Sequence, residues 1–236
     1  IKRILTYFGD SVDENTLMKT PQLHLRFHLE RVMESTFSGR GKWENVYMYK
    51  ILMSLIRKRP RDLVKLCSLA AQQAQQTNSP LIKTEHFQAI FEEYSQGRIQ
   101  DTINEYKSEL PNIENLLFGM RPTKKQRNAS DGYIYTTAEL IQKLNNIRQH
   151  TNFIFKNGRK ASANELAQFL YKINFLTARK IVESGEIQRK YFEENRYISS
   201  SFVDFGYDWE VHPAFRWVLQ PENINEIFNK LALSHD

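Results

Sequence analysis

Cysteine is nearly missing from this chain: Cys67 is the only one in 236 residues. A lone thiol excludes an internal disulfide and a cysteine-built zinc cluster, and it suits a reducing cytosol. Cys67 reads as part of an apolar helix face, where a thiol resists ionisation, so it makes a poor nucleophile. Long apolar runs are lacking too. No stretch of about 18 apolar residues occurs, so no membrane-spanning helix is expected. There is no recognisable signal peptide, and the chain begins at Ile1 rather than Met. From these we expect a fragment of a cytoplasmic protein.

A phosphate loop is also lacking. Ser38-Gly-Arg-Gly-Lys42 has the composition of one, but such a loop needs Gly, four residues, then Gly-Lys-Ser/Thr between a strand and a helix. Here Trp43 follows the lysine and no buried strand precedes, so the chain is not expected to hydrolyse ATP unaided. No catalytic residue can be assigned. Carboxylates are scattered, and His212, ahead of Pro213, has no nucleophile at a defined spacing. His24 and His28 stand four apart, a spacing used for zinc, but without a nearby third ligand we assign no metal site.

What is present is an ordinary folded composition, 41% hydrophobic and 25% charged, enough for one large domain or two smaller ones. The net charge of +6 is unevenly placed: residues 1–127 carry 20 Lys+Arg against 14 Asp+Glu, and residues 128–236 carry 13 against 13. A basic excess is the footprint of phosphate or nucleic-acid binding, and it belongs to the first half. Its densest point is Arg57-Lys-Arg-Pro-Arg61. Pro60 suits the first position of a helix, and Asp62 would meet the positive end of its dipole. Leu63, Leu66, Cys67, Ala70 and Ala74 then repeat at helical spacing. The cations therefore crowd a helix start, where N–H groups and positive charge together favour an anion. A solvated basic corner between two core helices is the plainer alternative.

Read in order, Thr20-Pro21 suggests a helix reaching Phe37, although the alternation of Leu23, Leu25, Phe27 and Leu29 also suits a strand. A helix over 44–56 precedes the Pro60 helix. Thr84 is placed to cap a helix over 85–94, and Ile99, Ile103, Tyr106 and Leu110 make another stripe, ended by Pro111. Residues 1–120 thus read as a helical bundle and the basic stretch 121–136 as a linker. Residues 137–236 read as a helix over 137–149, a short strand at Phe153-Ile-Phe155, and a helix capped by Ser162. A hairpin about Ser184-Gly185, a strand at Trp209-Glu-Val211, and helices over 213–219 and 223–233 complete it. Helix, strand, helix and hairpin read as a winged helix. The fold class is therefore mainly α: a helical bundle followed by a winged-helix α+β domain.

Several short segments resemble, in order, a family of bacterial P-loop ATPases of AAA-like and STAND-like type, some associated with phage defence. They are Arg59-Pro-Arg-Asp-Leu-Val64 with Trp43 and Tyr49 before it, Ile82-Lys-Thr-Glu-His-Phe87, and Glu93-Tyr94-Ser95. Leu170-Tyr171-Lys-Ile-Asn-Phe-Leu176 and Val211-His-Pro-Ala-Phe215 continue the series. The resemblance runs from about Trp43 to Leu219, with Asn174 where the family has glycine. It implies that the bundle is the helical lid behind a nucleotide-binding core, and that the core itself lies N-terminal to this chain. It further implies that ATP, with magnesium, is held mainly by residues outside the chain, with Arg61, then Arg59, as the lid arginine touching phosphate.

The function expected is a lid and winged-helix region that senses nucleotide and passes its state to a partner, a homo-oligomeric neighbour or nucleic acid. The alternative is a winged-helix regulator that binds nucleic acid without ATPase activity. Its contacts would come from Lys124, Lys125 and Arg127 of the linker and from Arg179, Lys180, Arg189 and Lys190 of the hairpin. Glu183, Glu186, Glu193 and Glu194 weaken the field there, which favours a hairpin that packs against protein.

Overall fold

The computed structural model describes the chain apart from residues 12, 40, 58, 124, 127–131, 184–186, 199–205, 221–226 and 228–236. The described fold is mainly helical with a small four-stranded antiparallel sheet. It divides into two compact units, Ile1–Phe91 and Glu92–Asp236. Among the described residues no helix is long and apolar enough to cross a membrane.

The first unit holds α1 (Lys2–Tyr7), α2 (Glu14–Lys19), α3 (Gln22–Leu29), α4 (Met48–Leu55), α5 (Pro60–Gln76) and the start of α6 (Thr84–Tyr106). Its core is aromatic: Phe37, Trp43, Phe87 and Phe91 are fully buried, and Trp43 meets Phe37 and Phe91 edge-on at 5.6 and 5.9 Å. Three helix boundaries differ from those the sequence suggested. The helix after Pro21 stops at Leu29, because residues 33–37 pair with other segments instead. Met33 bridges Ile82, Thr36 bridges Tyr47, and the Phe37 N–H donates to the Val46 carbonyl at 2.9 Å. The next helix begins at Met48 rather than 44, since Asn45 sits at φ +60, a conformation that ends a right-handed helix. The two helices expected over 85–94 and 99–110 are one, α6; Gly97 has open space around it and costs only about 1 kcal/mol in a helix interior.

The glycines of Ser38-Gly-Arg-Gly-Lys42 have a packing role. A Cβ at Gly39 would overlap the Phe37 ring, and Gly41 takes φ +75 where a 3-10 turn over Gly41–Trp43 starts. These glycines seat an aromatic core. Thr84, expected as a cap, is instead the first residue of α6. Its N–H and hydroxyl both donate to the Glu34 carboxylate, at 2.8 and 3.1 Å, and its hydroxyl accepts from the Ser38 N–H. The carboxylate at this helix start comes from far along the chain.

The second unit takes the rest of α6, then α7 (Ile113–Gly119), β1 (Ile134–Tyr135), α8 (Thr137–His150) and α9 (Ala163–Lys172). β2 (Leu176–Ile181), β3 (Ile187–Lys190), β4 (Asp208–Val211), a 3-10 turn over Pro213–Phe215 and α10 (Arg216–Leu219) follow. The sheet order is β1-β4-β2-β3, every neighbour antiparallel. α8 and α9 both start in complete capping boxes, Thr136 with Glu139 and Ser162 with Glu165, so these starts fall where the sequence put them. Phe153-Ile-Phe155 forms only an isolated bridge, Ile154 to Lys160, with Phe153 buried. Asn174 accepts the left-handed turn at φ +56, and its amide donates to Glu193 Oε1 at 2.6 Å. The turn at Ser184-Gly185 lies outside the described residues, as does the expected helix over 223–233 apart from Ile227.

One core unites this unit. Leu110, Ile113, Leu116, Leu117 and Met120 pack with Leu140, Leu166, Phe175, Trp209, Phe215 and Leu219. The division of the chain therefore falls within α6, not at 121–136 where the composition changes. Residues 110–120 read as bundle because an apolar helical turn does not say which partner will cover it.

Candidate functional site

The cationic corner of the first unit is built around a buried ion pair. Arg57 follows α4 and is fully buried; its Nε donates to Asp62 Oδ2 at 2.9 Å and its Nη2 to Oδ1 at 3.4 Å. Asp62 lies in the first turn of α5 and is equally buried. It thus serves Arg57 as well as the helix start, a role that local sequence did not reveal. Removing Arg57 from the surface leaves Arg59 and Arg61 as the described outward cations of the knot. Arg59 is the half-buried N-cap of α5 and makes no side-chain capping bond; Arg61 is 58% exposed in its side chain, with Nε 4.0 Å from Asp62 Oδ1. Lys58 lies outside the described residues.

The hairpin presents a different picture. Cross-strand pairing sets Arg179 opposite both Arg189 and Asp208, and Thr177 opposite Glu210, so these five share one sheet face. The other face carries Leu176, Ala178, Trp209 and Val211. Glu210 is fully buried and collects three guanidinium groups. Arg189 donates to it at 2.6 and 3.0 Å, Arg216 of α10 at 2.5 Å, and Arg179 stands at 3.9 Å. Burial pushes the Glu210 carboxyl up, but the three arginines outweigh it and hold it down at about 2. Arg179 and Arg189 are both buried and face inward, so they are placed to tie the sheet rather than to reach a phosphate. Lys180 is exposed and Lys190 half-buried. Sequence reasoning missed this cluster, because its members come from β2, β3, β4 and α10 and no spacing links them.

His212 caps the 3-10 turn through Nδ1, which accepts from the Ala214 N–H at 3.1 Å, a structural role. His24 is exposed and His28 half-buried on α3. Among the described residues no group of three His, Cys, Asp or Glu side chains gathers where a metal ion would sit. Burial lifts the Cys67 thiol to about 11, which keeps it protonated at neutral pH.

A concavity of about 820 Å³ lies in the second unit, between α7, α8 and the described residues Thr123, Lys125 and Gln126. Lys143 forms part of its wall. Its ammonium is half-buried, donates to the Arg121 carbonyl at 2.9 Å, and is shifted down by that burial. Gln142, Asn146 and His150 line the same wall one helical turn apart, facing Asn115 and Phe118 of α7. Lys125, one of the linker cations, is exposed at the rim, while Lys124 and Arg127 lie outside the described residues. Glu139 also lines the groove, but its carboxylate is engaged by the Thr136 N–H and hydroxyl at 2.8 and 2.9 Å.

Comparison with known proteins adds one finding. No curated protein and no solved structure matches the chain. Residues 23–103, from α3 through most of α6, match the family model of the FunZ-associated C-terminal helical domain, so this part of the chain is similar to a C-terminal helical domain.

Proposed function

We propose that the helical unit is the nucleotide-sensing adjunct of a P-loop ATPase whose core lies outside these residues, and that Arg61, assisted by Arg59, contacts the phosphates. The reading rests on one observation above the rest: Arg57 is withdrawn into a buried pair with Asp62, while Arg61 stands exposed at the start of α5. The withdrawal matters electrostatically. Asp62 would otherwise repel a phosphate, and with its charge met by Arg57 the corner keeps a net positive face. The residues here suit a supporting phosphate contact, and Gly39 packs against Phe37. ATP with magnesium would be held mainly by the missing core. The similarity of residues 23–103 to a domain that is both helical and C-terminal is consistent with such an adjunct. In this reading the second unit is a winged-helix module, with β1, α8, α9 and the β2–β3 hairpin in its connection order, and it carries the nucleotide state to an oligomeric neighbour or another partner.

The test is ATP binding and turnover by the full-length protein carrying Arg61→Ala. Loss of a preorganised phosphate contact lowers affinity or turnover on the order of tenfold or more, and unchanged values remove Arg61 from this role.

A second reading, a nucleic-acid-binding regulator, draws on exposed Lys180 and Lys125. It requires binding of this chain to duplex DNA that falls steeply with salt. No duplex binding at low salt would leave the adjunct reading in place.

A further inference from the structure

We infer that the groove lined by α7, α8 and the described residues Thr123, Lys125 and Gln126 is a binding site for a nucleotide unit, with its phosphate on Lys143 and Lys125 and its base edge on Gln142 and Asn146. The inference concerns the second unit alone and depends on neither Arg61 nor the hairpin.

Size comes first. About 820 Å³ lies within the roughly 300–1,000 Å³ of small-molecule and cofactor sites, large enough for one nucleotide with room for its neighbour. Charge comes second. Among the described residues, Lys143 and Lys125 line the groove with one carboxylate, Glu139, which is hydrogen-bonded in the capping box of α8. Among the described lining residues two ammonium groups thus outnumber one carboxylate. Lys143 is the informative one. Its ammonium has three donors and one goes to the Arg121 carbonyl, so in this inference a phosphate oxygen takes another.

Hydrogen-bonding capacity comes third. The Gln142 and Asn146 side chains stand one turn apart on the same wall, each offering a donor and an acceptor side by side. Paired amides of this kind match the edge of a base, as Asn and Gln do when they contact adenine bidentately. Phe118 supplies an apolar surface on the opposite wall, on which a base face would rest. The walls are also held in place. Lys143 ties the chain after α7 to α8, the Tyr135 hydroxyl donates to the Met120 carbonyl at 3.4 Å, and the Asn112 amide donates to the Asn152 carbonyl at 3.0 Å. A Cβ at Gly119 would meet Ile147 at 3.0 Å, so α7 passes close to α8 there. A groove fixed in this way loses little entropy on binding.

Both a free nucleotide and a stretch of single-stranded nucleic acid carry this chemistry, and the experiment separates them. Fluorescence anisotropy of the 236-residue chain is measured with a labelled single-stranded hexanucleotide at low salt, with adenosine monophosphate as unlabelled competitor. Binding is expected, and Lys143→Met should weaken it about tenfold to a hundredfold, the range for a hydrogen bond to a charged group. Because Lys143 also braces Arg121, the exposed pair Gln142→Ala/Asn146→Ala serves as a second variant that leaves the brace intact; it should weaken binding about tenfold. Competition by the mononucleotide identifies a free nucleotide as the natural occupant, and its failure to compete identifies a strand. Absence of binding by either probe at low salt overturns the inference. So does binding that survives both groove variants and is lost instead in Lys180→Glu/Lys190→Glu.

Discussion

Helices of eight residues or more begin by different means in the two units, whereas short α2 of the first is capped by Asp13 and short α7 of the second has no side-chain cap. In the second, α8 and α9 start at Thr136 and Ser162, each with a glutamate three residues on and both reciprocal bonds made. In the first, α3, α4 and α5 start without any side-chain cap, and the N-terminus of α6 is met by Glu34 from 50 residues away. Buried charge divides the other way. The first unit pairs Arg57 with Asp62, close in sequence, while the second gathers three arginines from three elements on Glu210. Local encoding and long-range encoding are thus both used in each unit, for opposite purposes.

The largest effects should come from breaking the buried charges. Glu210→Ala and Asp62→Ala should each cost about 3–5 kcal/mol in urea denaturation, because each strands buried guanidinium groups. The two sites should part company when the charge is removed entirely. Arg57→Leu/Asp62→Leu deletes a balanced pair and should lie far closer to the wild-type stability, whereas no single partner change balances Glu210 against three arginines. Equal losses for the Leu/Leu variant and Glu210→Ala would dissolve the distinction.

Acid sharpens the same contrast. The Glu210 carboxyl is held below its unfolded value, so its contribution is present in full above the unfolded pKa, near 4.5, and is lost as pH falls towards about 2. The expected size is about 3 kcal/mol, seen as loss of near-ultraviolet circular dichroism from Trp209 and of amide protection in β2–β4 between those pH values. Glu210→Gln should flatten that dependence. A wild-type profile that stays level down to about pH 2 would mean the three arginines do not act on Glu210 as the geometry requires.

Helix starts give smaller effects. Thr136→Ala and Ser162→Ala should each cost about 1 kcal/mol, measured by thermal or urea unfolding. Arg59→Ala, at an N-cap with no side-chain bond, should cost less than about 0.5 kcal/mol. If Arg59→Ala proved as costly as Ser162→Ala, α5 would also be capped locally. Slowest to register is the thiol: with its pKa near 11, Cys67 should react with iodoacetamide at pH 8 far more slowly than a free cysteine, and at the free rate once unfolded.

The ease of reading the sequence follows this division. The starts of α8 and α9, the β2–β3 hairpin and β4 were legible, because capping boxes and apolar strands are written within a few residues. The ends of α3 and the start of α4 were not, since they depend on Met33 bridging Ile82 and on Asn45 taking a left-handed turn. In the cationic corner, Pro60 and the exposed Arg61 could be seen directly. The burial of Arg57 could not, for nothing in its neighbours says which of four cations Asp62 will claim. Arg179 and Arg189 looked like surface cations for the same reason.

By itself the sequence determined a mainly helical chain with a late hairpin, one thiol, a basic first half and a proline-led helix start beside a knot of cations. These follow from composition, from periodicity and from hydrogen bonds that span three or four residues. Tertiary structure alone decided which cations face inward, where the two units divide within α6, and that α7 and α8 enclose a polar groove. Those outcomes turn on which apolar surface covers which, and a buried charge must then find its counter-charge wherever folding has placed one.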